Sequence, residues 1–349
     1  MAKIPFDPDA AAAPGAGVYG LPFTVDEAKV VLVPVPFEAT TSYGAGAADG
    51  PAAVLDASRQ VDLFDVEIGK VWEPGIAMLD EPAQIRAWND EAKAAAAPII
   101  EAGGAGEDPA LQQNLALVNQ RSEQVNAWVK QTVEGLLAKG KIACIVGGDH
   151  AVPFGAIEAY AARYPGLGIL HLDAHADLRD AYEGFTWSHA SIFHNVMERI
   201  PGVAKLVQVG IRDLGSAEHR YIRASGGKVI AHFDAQLVNE RFEGTTWGEQ
   251  VRRIVAELPQ HVYLSFDIDG LDPTLCPHTG TPVPGGLSFQ QAAALVAGVA
   301  KSGRTIVGLD LCEVAPGDEE DQWDGNVGAR LLYKMIGWML RSQQLIAAP

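Results

Sequence analysis

Short apolar runs rich in β-branched residues recur along the chain, and segments with a helical pattern separate them. Continuous runs of this kind are typical of strands that are covered on both faces. Seven of them predict strands, at residues 30–33, 142–148, 167–175, 205–211, 228–233, 261–269 and 305–314. Strands that alternate with helices favour a mostly parallel sheet between helical layers, so the pattern predicts an α/β fold.

The clearest helical pattern covers residues 115–140. Its apolar positions follow one face of a helix, and Lys139 and Gly140 provide a C-terminal stop. That face consists of Leu115, Val118, Val125, Trp128, Val129, Val133 and Leu136. Two further helices are predicted at about 288–302 and 325–341.

Two segments depart from this rhythm. Residues 1–28 are rich in Ala, Pro and Gly without an apolar period, so they are predicted to form an N-terminal arm outside the core. Residues 81–112 are rich in Ala, Gly and acidic residues, and we interpret them as an insertion, part helix and part mobile loop. A length of 349 residues alone leaves one or two domains open, but with this insertion residues 29–345 are predicted to form a single domain.

Charge and composition narrow the classes of function. The formal net charge is −18 and no cluster of Lys or Arg interrupts the acidity, which disfavours nucleic acid and membrane surfaces as partners. Small cationic substrates are favoured, although solubility alone also explains the acidity. No signal-peptide pattern and no apolar stretch of ~18 residues occurs, so a cytoplasmic location is expected. Cys144, Cys276 and Cys312 lack a metal or redox spacing and are expected to be reduced and structural.

Acidic and histidine side chains follow three of the predicted strands. Asp173, His175 and Asp177 come at the end of one strand, and Asp267 and Asp269 at the end of another. His150 follows a third strand in the sequence GGDH, where two glycines permit a sharp turn. A spacing of two residues points side chains of an extended segment to the same side, and carboxyl ends of parallel strands meet at one edge of the sheet. One such residue alone would more often be a core histidine, a helix cap or a solvated acid; six together predict a site.

Four carboxylates and two imidazoles are too costly to bury together without cations. The sequence therefore predicts a site for two divalent metal ions. Hard oxygen donors with one histidine per ion favour Mn²⁺, while Ni²⁺, Co²⁺ and Fe²⁺ stay open. Two ions that share carboxylates can hold a bridging water as hydroxide near neutral pH, which is a nucleophile for a trigonal carbon.

Four ordered motifs resemble those of the ureohydrolases, the arginase and agmatinase family. They are GGDH, DAHADLRDAYEG, SFDIDGLDP and GTPVPGG, and an acid follows them in LDLCEVAP. The resemblance covers residues 29–341, and the segment FEATTSYGAGAADGP is similar to the N-terminal active-site segment of the family. It implies a three-layer α/β/α fold with a mostly parallel eight-stranded sheet, assembled as trimers or hexamers.

The resemblance also assigns roles to residues. One ion would be held by His150, Asp173, Asp177 and Asp267, and the other by Asp173, His175, Asp267 and Asp269. His189 would be the proton shuttle or general acid for the departing amine, and Glu313 would pair with the guanidinium of the substrate. The implied reaction is attack of a hydroxide bridging the two ions on a guanidino carbon, with release of urea and an amine.

Within the family, the loop that contains His189 resembles agmatinases, and it lacks the Asn and Ser pattern that arginases use for the amino-acid end of arginine. Agmatine, cleaved to putrescine and urea, is therefore the expected substrate; guanidinobutyrate and arginine are weaker alternatives. Phe185 and Trp187 would narrow the pocket toward free guanidine, a substrate of some longer, reportedly nickel-dependent relatives, unless they only pack the loop. The C-terminal WDGNVGARLLYKM is similar to that longer subgroup.

A non-enzymatic alternative is an inactive relative that serves as the regulatory subunit of a mixed oligomer. It predicts that at least one metal ligand is lost. All six ligand positions, together with His189 and Glu313, carry the expected residues, so the sequence favours an enzyme.

Overall fold

The computed structural model describes residues 6–13, 15–317 and 321–349. The strands within these residues are β1 Val30–Val35, β2 Phe64–Asp65, β3 Gly69–Lys70, β4 Ile76–Met78, β5 Ile142–Gly147, β6 Leu167–Leu172, β7 Val203–Ile211, β8 Val229–Phe233, β9 His261–Asp267 and β10 Thr305–Cys312. Eight of them form one sheet in the order β4-β1-β5-β10-β9-β6-β7-β8, and every neighbouring pair is parallel. β2 and β3 form a separate antiparallel pair.

Helices cover both faces of the sheet. They are α1 Gly50–Ser58, α2 Ala83–Ala102, α3 Pro109–Ala138, α4 Phe154–Arg163, α5 Ile192–Arg199, α6 Ser216–Ala224, α7 Asp234–Phe242, α8 Trp247–Ala256, α9 Phe289–Lys301 and α10 Trp323–Ser342. Because side chains alternate along a strand, β1 sends Leu32 into one apolar cluster and Val31 and Val33 into the other. The first cluster also contains α9 and α10, and the second contains α3 and α4. The predicted three-layer α/β/α fold with an eight-stranded parallel sheet is confirmed.

All seven predicted strands are present. Besides the two-residue pair β2 and β3, the apolar pattern misses β4, which has three residues at the edge of the sheet and pairs with β1 through Val30–Leu32. A run this short is not distinguishable from a turn by its pattern. The predicted helices at 115–140, 288–302 and 325–341 correspond to α3, α9 and α10.

The last part of the predicted N-terminal arm belongs to the core. Val18, Tyr19 and Leu21 are each 2% exposed, and they pack in the cluster that contains α10. The hydroxyl of Tyr19 donates to the carbonyl of Ala329 at 3.0 Å, and its N–H donates to Ser58 Oγ at 2.9 Å. The prediction of an arm outside the core is therefore wrong for these residues, because three large side chains spaced along an irregular segment leave no period in the sequence.

The segment predicted as an insertion is mostly helical. α2 runs over Ala83–Ala102 and packs against α3, and a short loop of residues 103–108 joins the two helices. Ile85, Ala92, Ala96 and Ile99 of α2 are fully buried, so this segment adds to the core. Cys144, Cys276 and Cys312 are buried and form no disulfide. Within the part of the chain that the structure describes, no helix combines the length and apolarity needed to cross a membrane.

Candidate metal centre and active site

The predicted site residues come together at the carboxyl ends of four adjacent central strands. β6 leads into Asp173, β9 ends at Asp267, β5 leads through two glycines to His150, and β10 leads into Glu313. These strands are neighbours in the order β5-β10-β9-β6. Ligand sites in open α/β sheets form at this edge, outside the carboxyl ends of the strands. Asp177 and Glu313 have positive φ angles of 54° and 62°, a conformation that costs non-glycine residues energy and clusters at functional sites.

A first group of potential ligand atoms surrounds the imidazole of His150. Its Nδ1 atom lies 3.1 Å from Asp173 Oδ2, 3.4 Å from Asp267 Oδ2 and 3.5 Å from Asp177 Oδ2. All four side chains are buried. One nitrogen and three carboxylate oxygens converging on one point form a donor set for a hard or borderline divalent cation.

A hydrogen-bonded chain behind His150 fixes which ring nitrogen faces this group. Ser265 Oγ donates to the Asp310 carboxylate at 2.8 and 3.0 Å, so its proton is used. Ser265 Oγ lies 2.9 Å from His150 Nε2 and must accept from it. In the neutral imidazole, this assignment would leave the lone pair of Nδ1 directed at the three carboxylates, as a metal ligand requires.

Replacing Ser265 with alanine is expected to weaken metal binding by roughly 10- to 100-fold, because His150 loses the acceptor that sets its tautomer and orientation. The measurement is a titration of the metal-free protein with Mn²⁺. Ser302→Ala is the matched control, since Ser302 Oγ donates to Val299 O and accepts from Arg304 at the opposite edge of the sheet. Equal affinity in both variants would show that the chain behind His150 has no role in metal binding.

His171 is a residue of the site that the sequence analysis did not single out. It lies within β6, is fully buried, and its Nε2 atom is 2.8 Å from Asp173 Oδ2. Gln208 Nε2 donates both to Ala176 O at 2.7 Å and to His171 Nδ1 at 3.0 Å, so Nδ1 is an acceptor and Nε2 carries the proton. His171 therefore donates to Asp173 and orients it, although its ligand atom also lies within 4.8 Å of those of His150, Asp173 and Asp177.

A second group of potential ligand atoms shares Asp173 with the first. His175 Nδ1 lies 3.0 Å from Asp269 Oδ2 and 3.5 Å from Asp173 Oδ1. Asp269 Oδ1 accepts the N–H of Ala174 at 2.9 Å, and Asp267 Oδ1 accepts the N–H of Asp269 at 2.8 Å. These bonds from the main chain fix both carboxylates. The shared Asp173 places the two groups side by side, as a two-metal site requires.

The pKa shifts of the clustered side chains indicate that their carboxylates lack enough positive charge to balance them. Burial and then Asp173 raise the pKa of Asp177 well above its usual range, and burial and then Asp269 raise that of Asp267. Burial opposes protonation of His175, but Asp269 and Asp173 outweigh it and raise the pKa of its imidazole to about 12. Divalent cations would replace the missing charge and free the imidazole to act as a ligand. The donor set and the unbalanced charge thus both fit two metal ions.

Glu313 lies beside the donor groups and is hydrogen-bonded to the main chain of His150. Its Oε1 atom accepts the N–H of His150 at 2.9 Å, and its own N–H donates to Gly148 O at 2.8 Å. A Cβ added to Gly280 would lie 3.6 Å from Oε2, so this glycine borders the carboxylate. Burial, then Asp267 and Asp149, raise the pKa of Glu313 well above its usual value. A buried carboxylate in this state is stabilised by a cation placed against it.

His189 begins a turn of 3₁₀ helix, His189–Ser191, on the loop after Asp177. Its Nδ1 atom lies 3.3 Å from Thr40 Oγ1 and 3.4 Å from Ser188 Oγ. Burial and the nearby charge of His175 lower the pKa of His189 to about 4. The ring is therefore neutral at pH 7, and it is suited to relay a proton rather than to hold one.

Phe185 and Trp187 have contacts away from the donor groups. Phe185 is fully buried in the apolar cluster that contains α3 and α4. The ring of Trp187 packs 4.9 Å from that of Phe154, and the guanidinium of Arg199 lies over it at 4.9 Å. These contacts favour the alternative that both aromatic residues pack the loop.

A sequence profile described as the arginase family matches residues 28–337. The chain belongs to the arginase family. It is 33% identical over 314 residues to N(1)-aminopropylagmatine ureohydrolase of Thermus thermophilus, covering 89% of this chain and 90% of the relative. It is also 33% identical over 311 residues to agmatinase of Edwardsiella ictaluri, covering 89% and 88%. The crystal structure of a hypothetical agmatinase from Burkholderia thailandensis superposes with a TM-score of 0.71 at 25% identity, covering 97% and 94%.

Family membership confirms the resemblance inferred from the motifs. It also confirms the prediction of a hydrolase that acts on carbon–nitrogen bonds of amidines, as do the named relatives. The arginase family is a family of two-metal enzymes, and this chain has the buried cluster of His and Asp residues that such a centre requires.

Proposed function

We propose that this protein hydrolyses a guanidino compound to urea and an amine, with agmatine as the first candidate substrate. The observation that carries the proposal is the contact between Glu313 and His150. One oxygen of the Glu313 carboxylate accepts the N–H of His150, so the group that would bind a guanidinium is tied to the donor groups at hydrogen-bonding distance. A planar cation paired with a carboxylate there would have its carbon beside the metal site.

The residues of the chain would divide the work as follows. His150, Asp173, Asp177 and Asp267 would hold one ion, and Asp173, His175, Asp267 and Asp269 the other. Bound metal ions would supply Lewis-acid activation of water, the nucleophile for the guanidino carbon. Glu313 would orient the guanidinium and stabilise its charge. Neutral His189, whose Nδ1 atom lies within hydrogen-bonding distance of Thr40 Oγ1, would relay a proton to the departing amine.

Mn²⁺ is the proposed metal because four carboxylates and two imidazoles form the proposed donor set, and Ni²⁺ is the alternative. The decisive experiment measures urea release from agmatine, arginine, guanidinobutyrate, guanidinopropionate and guanidine, each after reconstitution with Mn²⁺ or Ni²⁺. We expect activity with at least one guanidino compound and two ions bound per chain. Metal-loaded protein that releases urea from none of them would contradict the proposed function and favour the inactive-subunit alternative.

Free guanidine is the second candidate substrate, and one contact favours it. Tyr182 Oη lies 3.2 Å from Ser42 Oγ, which joins the loop of His189 to the loop after β1 on the solvent side of the site. The Tyr182 ring lies 5.9 Å from that of His189, and the guanidinium of Arg179 lies over it at 5.3 Å. If the alkyl chain of the substrate extends from the site between these two loops, the Tyr182 ring would restrict it, which would favour a short substrate.

If Tyr182 limits the length of the substrate, Tyr182→Ala should raise kcat/KM for agmatine relative to guanidine by about tenfold, a typical effect of relieving one steric contact. The ratio of kcat/KM values for the two compounds is the measurement. Tyr221→Ala provides the control, because Tyr221 is bonded to Glu198 on α5 and makes no contact with the donor groups. An unchanged ratio would show that Tyr182 does not select the substrate.

A further inference from the structure

Three polar residues on one face of α2 contact the β1–α1 loop, residues 36–49. Arg86, Asn89 and Lys93 are spaced three and four positions apart, which places them on the same side of the helix. Arg86 donates to the Asp49 carboxylate at 2.8 Å, and Asn89 Oδ1 accepts the N–H of Glu38 at 2.8 Å. Lys93 Nζ forms an ion pair with Glu38 Oε1. The helix therefore holds this loop near both of its ends.

Glu38 is the centre of these contacts. Its side chain is almost fully buried inside the loop, and its Oε2 atom accepts the N–H groups of Gly46 at 2.8 Å and Ala48 at 3.2 Å. The other carboxylate oxygen is paired with Lys93. A buried carboxylate that loses its cation keeps the full cost of desolvation, so the loop conformation depends on this pair.

The β1–α1 loop contacts the surroundings of both proposed substrate-handling residues. Thr40 Oγ1 lies 3.3 Å from His189 Nδ1 and also donates to Ser188 Oγ at 3.2 Å. At the other end of the same stretch, the N–H of Gly44 donates to Gly280 O at 3.0 Å, and Gly280 borders the carboxylate of Glu313. A shift of this loop would displace the partner of His189 and the backbone beside Glu313 together.

We propose that Glu38 and Lys93 are positioning residues that hold the β1–α1 loop in the conformation that catalysis requires. They act through Thr40 on His189 and through Gly44 on the backbone beside Glu313, without touching the substrate. The inference rests on the proposed hydrolysis of a guanidino compound. It gives α2, which sequence reasoning left without a role, a part in the active site.

The test compares Lys93→Met, Lys93→Arg and Glu38→Gln in the full-length, metal-loaded enzyme. Glu91→Gln is the matched control, because Glu91 lies on the same helix and pairs with Arg121 of α3 at 2.7 Å, away from the loop. The measurements are kcat and KM for the guanidino compound with the fastest urea release, the pH dependence of kcat, and hydrogen exchange in residues 39–46.

We expect Lys93→Met to lower kcat/KM on the order of 10- to 100-fold, as small displacements of catalytic groups do. Exchange in residues 39–46 should increase and the pH profile should shift, whereas Lys93→Arg should recover most of the wild-type behaviour and Glu91→Gln should retain it. Metal content should stay at the wild-type level, because neither residue contacts a ligand.

Faster exchange without any change in KM, kcat or pH profile would overturn the inference, since the loop would then be held without acting on the site. Unchanged exchange in Lys93→Met would overturn it too, and this result is available even if Glu38→Gln does not fold. Failure of the proposed function is a separate outcome: the wild-type protein would release no urea from any guanidino compound.

Discussion

Substitution of His175 by alanine is expected to reduce bound metal to about one ion per chain and to lower urea release on the order of 1,000-fold, because one Lewis acid supplies several kcal/mol of transition-state stabilisation. His175 is the only imidazole in the group formed with Asp173 and Asp269, as far as the described residues show. Without it, only the carboxylates of Asp173, Asp267 and Asp269 are left for the second ion, and the first two of them are shared with the other ion. Elemental analysis after dialysis against Mn²⁺, combined with a urea assay, measures both effects.

His219→Ala is the control for this experiment. His219 is exposed on α6, so its loss removes one imidazole from the protein without changing the donor groups. We expect it to keep two ions and full activity. Two ions and full activity in His175→Ala as well would refute the metal assignment, whereas equal losses in both variants would indicate a general effect on stability.

The sequence was sufficient to predict that the proposed ligands converge, because each of them lies at the end of an apolar run or just after it. Once the runs at 142–148, 167–175 and 261–269 are assigned as parallel strands, the residues at and just after their carboxyl ends must meet at one edge of the sheet. The position of Glu313 after β10 follows from the same argument. Which atoms face each other could not be predicted, since that depends on the turns and on the left-handed backbone of Asp177 and Glu313.

The residues behind the ligands were missed, although the sequence contains a signal for them. His171, Ser265 and Asp310 are polar positions inside otherwise apolar strands, and all three are fully buried. A buried polar side chain in a strand needs a hydrogen-bond partner, and each of these finds it on a ligand or on a neighbour of one. Polar interruptions near the carboxyl ends of central strands would therefore have indicated the supports of the metal site.

The role of α2 could not be predicted from the chain alone. The contacts of Glu38 with Asn89 and Lys93 join positions more than 50 residues apart, and neither segment has a motif that names the other. The alanine-rich composition suggested an insertion. In the structure, the alanine residues allow α2 to pack closely on α3, and this packing brings the polar face of α2 to the β1–α1 loop. Packing between helices, which has no local pattern, determined this part of the site.

Glu313→Gln is expected to raise the activation free energy by about 2 to 4 kcal/mol, by analogy with the removal of one preorganised electrostatic partner. This change lowers kcat/KM roughly 30- to 1,000-fold. The amide oxygen can still accept the N–H of His150, so the turn after β10 should persist. What is lost is the negative charge opposite the guanidinium, in a buried position where a charge interacts strongly. Steady-state kinetics of urea release with the best guanidino substrate measure this loss.

Metal content separates the role of Glu313 from that of His175. Because the hydrogen bond from Glu313 to the donor groups, among the described residues, goes to the main chain of His150, the Glu313→Gln variant should retain two ions per chain while it loses activity. Glu158→Gln, which removes a surface carboxylate paired with Lys130, should retain both. If Glu313→Gln keeps its ions and its wild-type kcat/KM, the guanidinium must bind elsewhere, and the proposed arrangement of substrate and metal site would be wrong. If Glu313→Gln loses its ions instead, the negative charge of Glu313 is needed to bind metal, and the carboxylate belongs to the metal centre rather than to the substrate site.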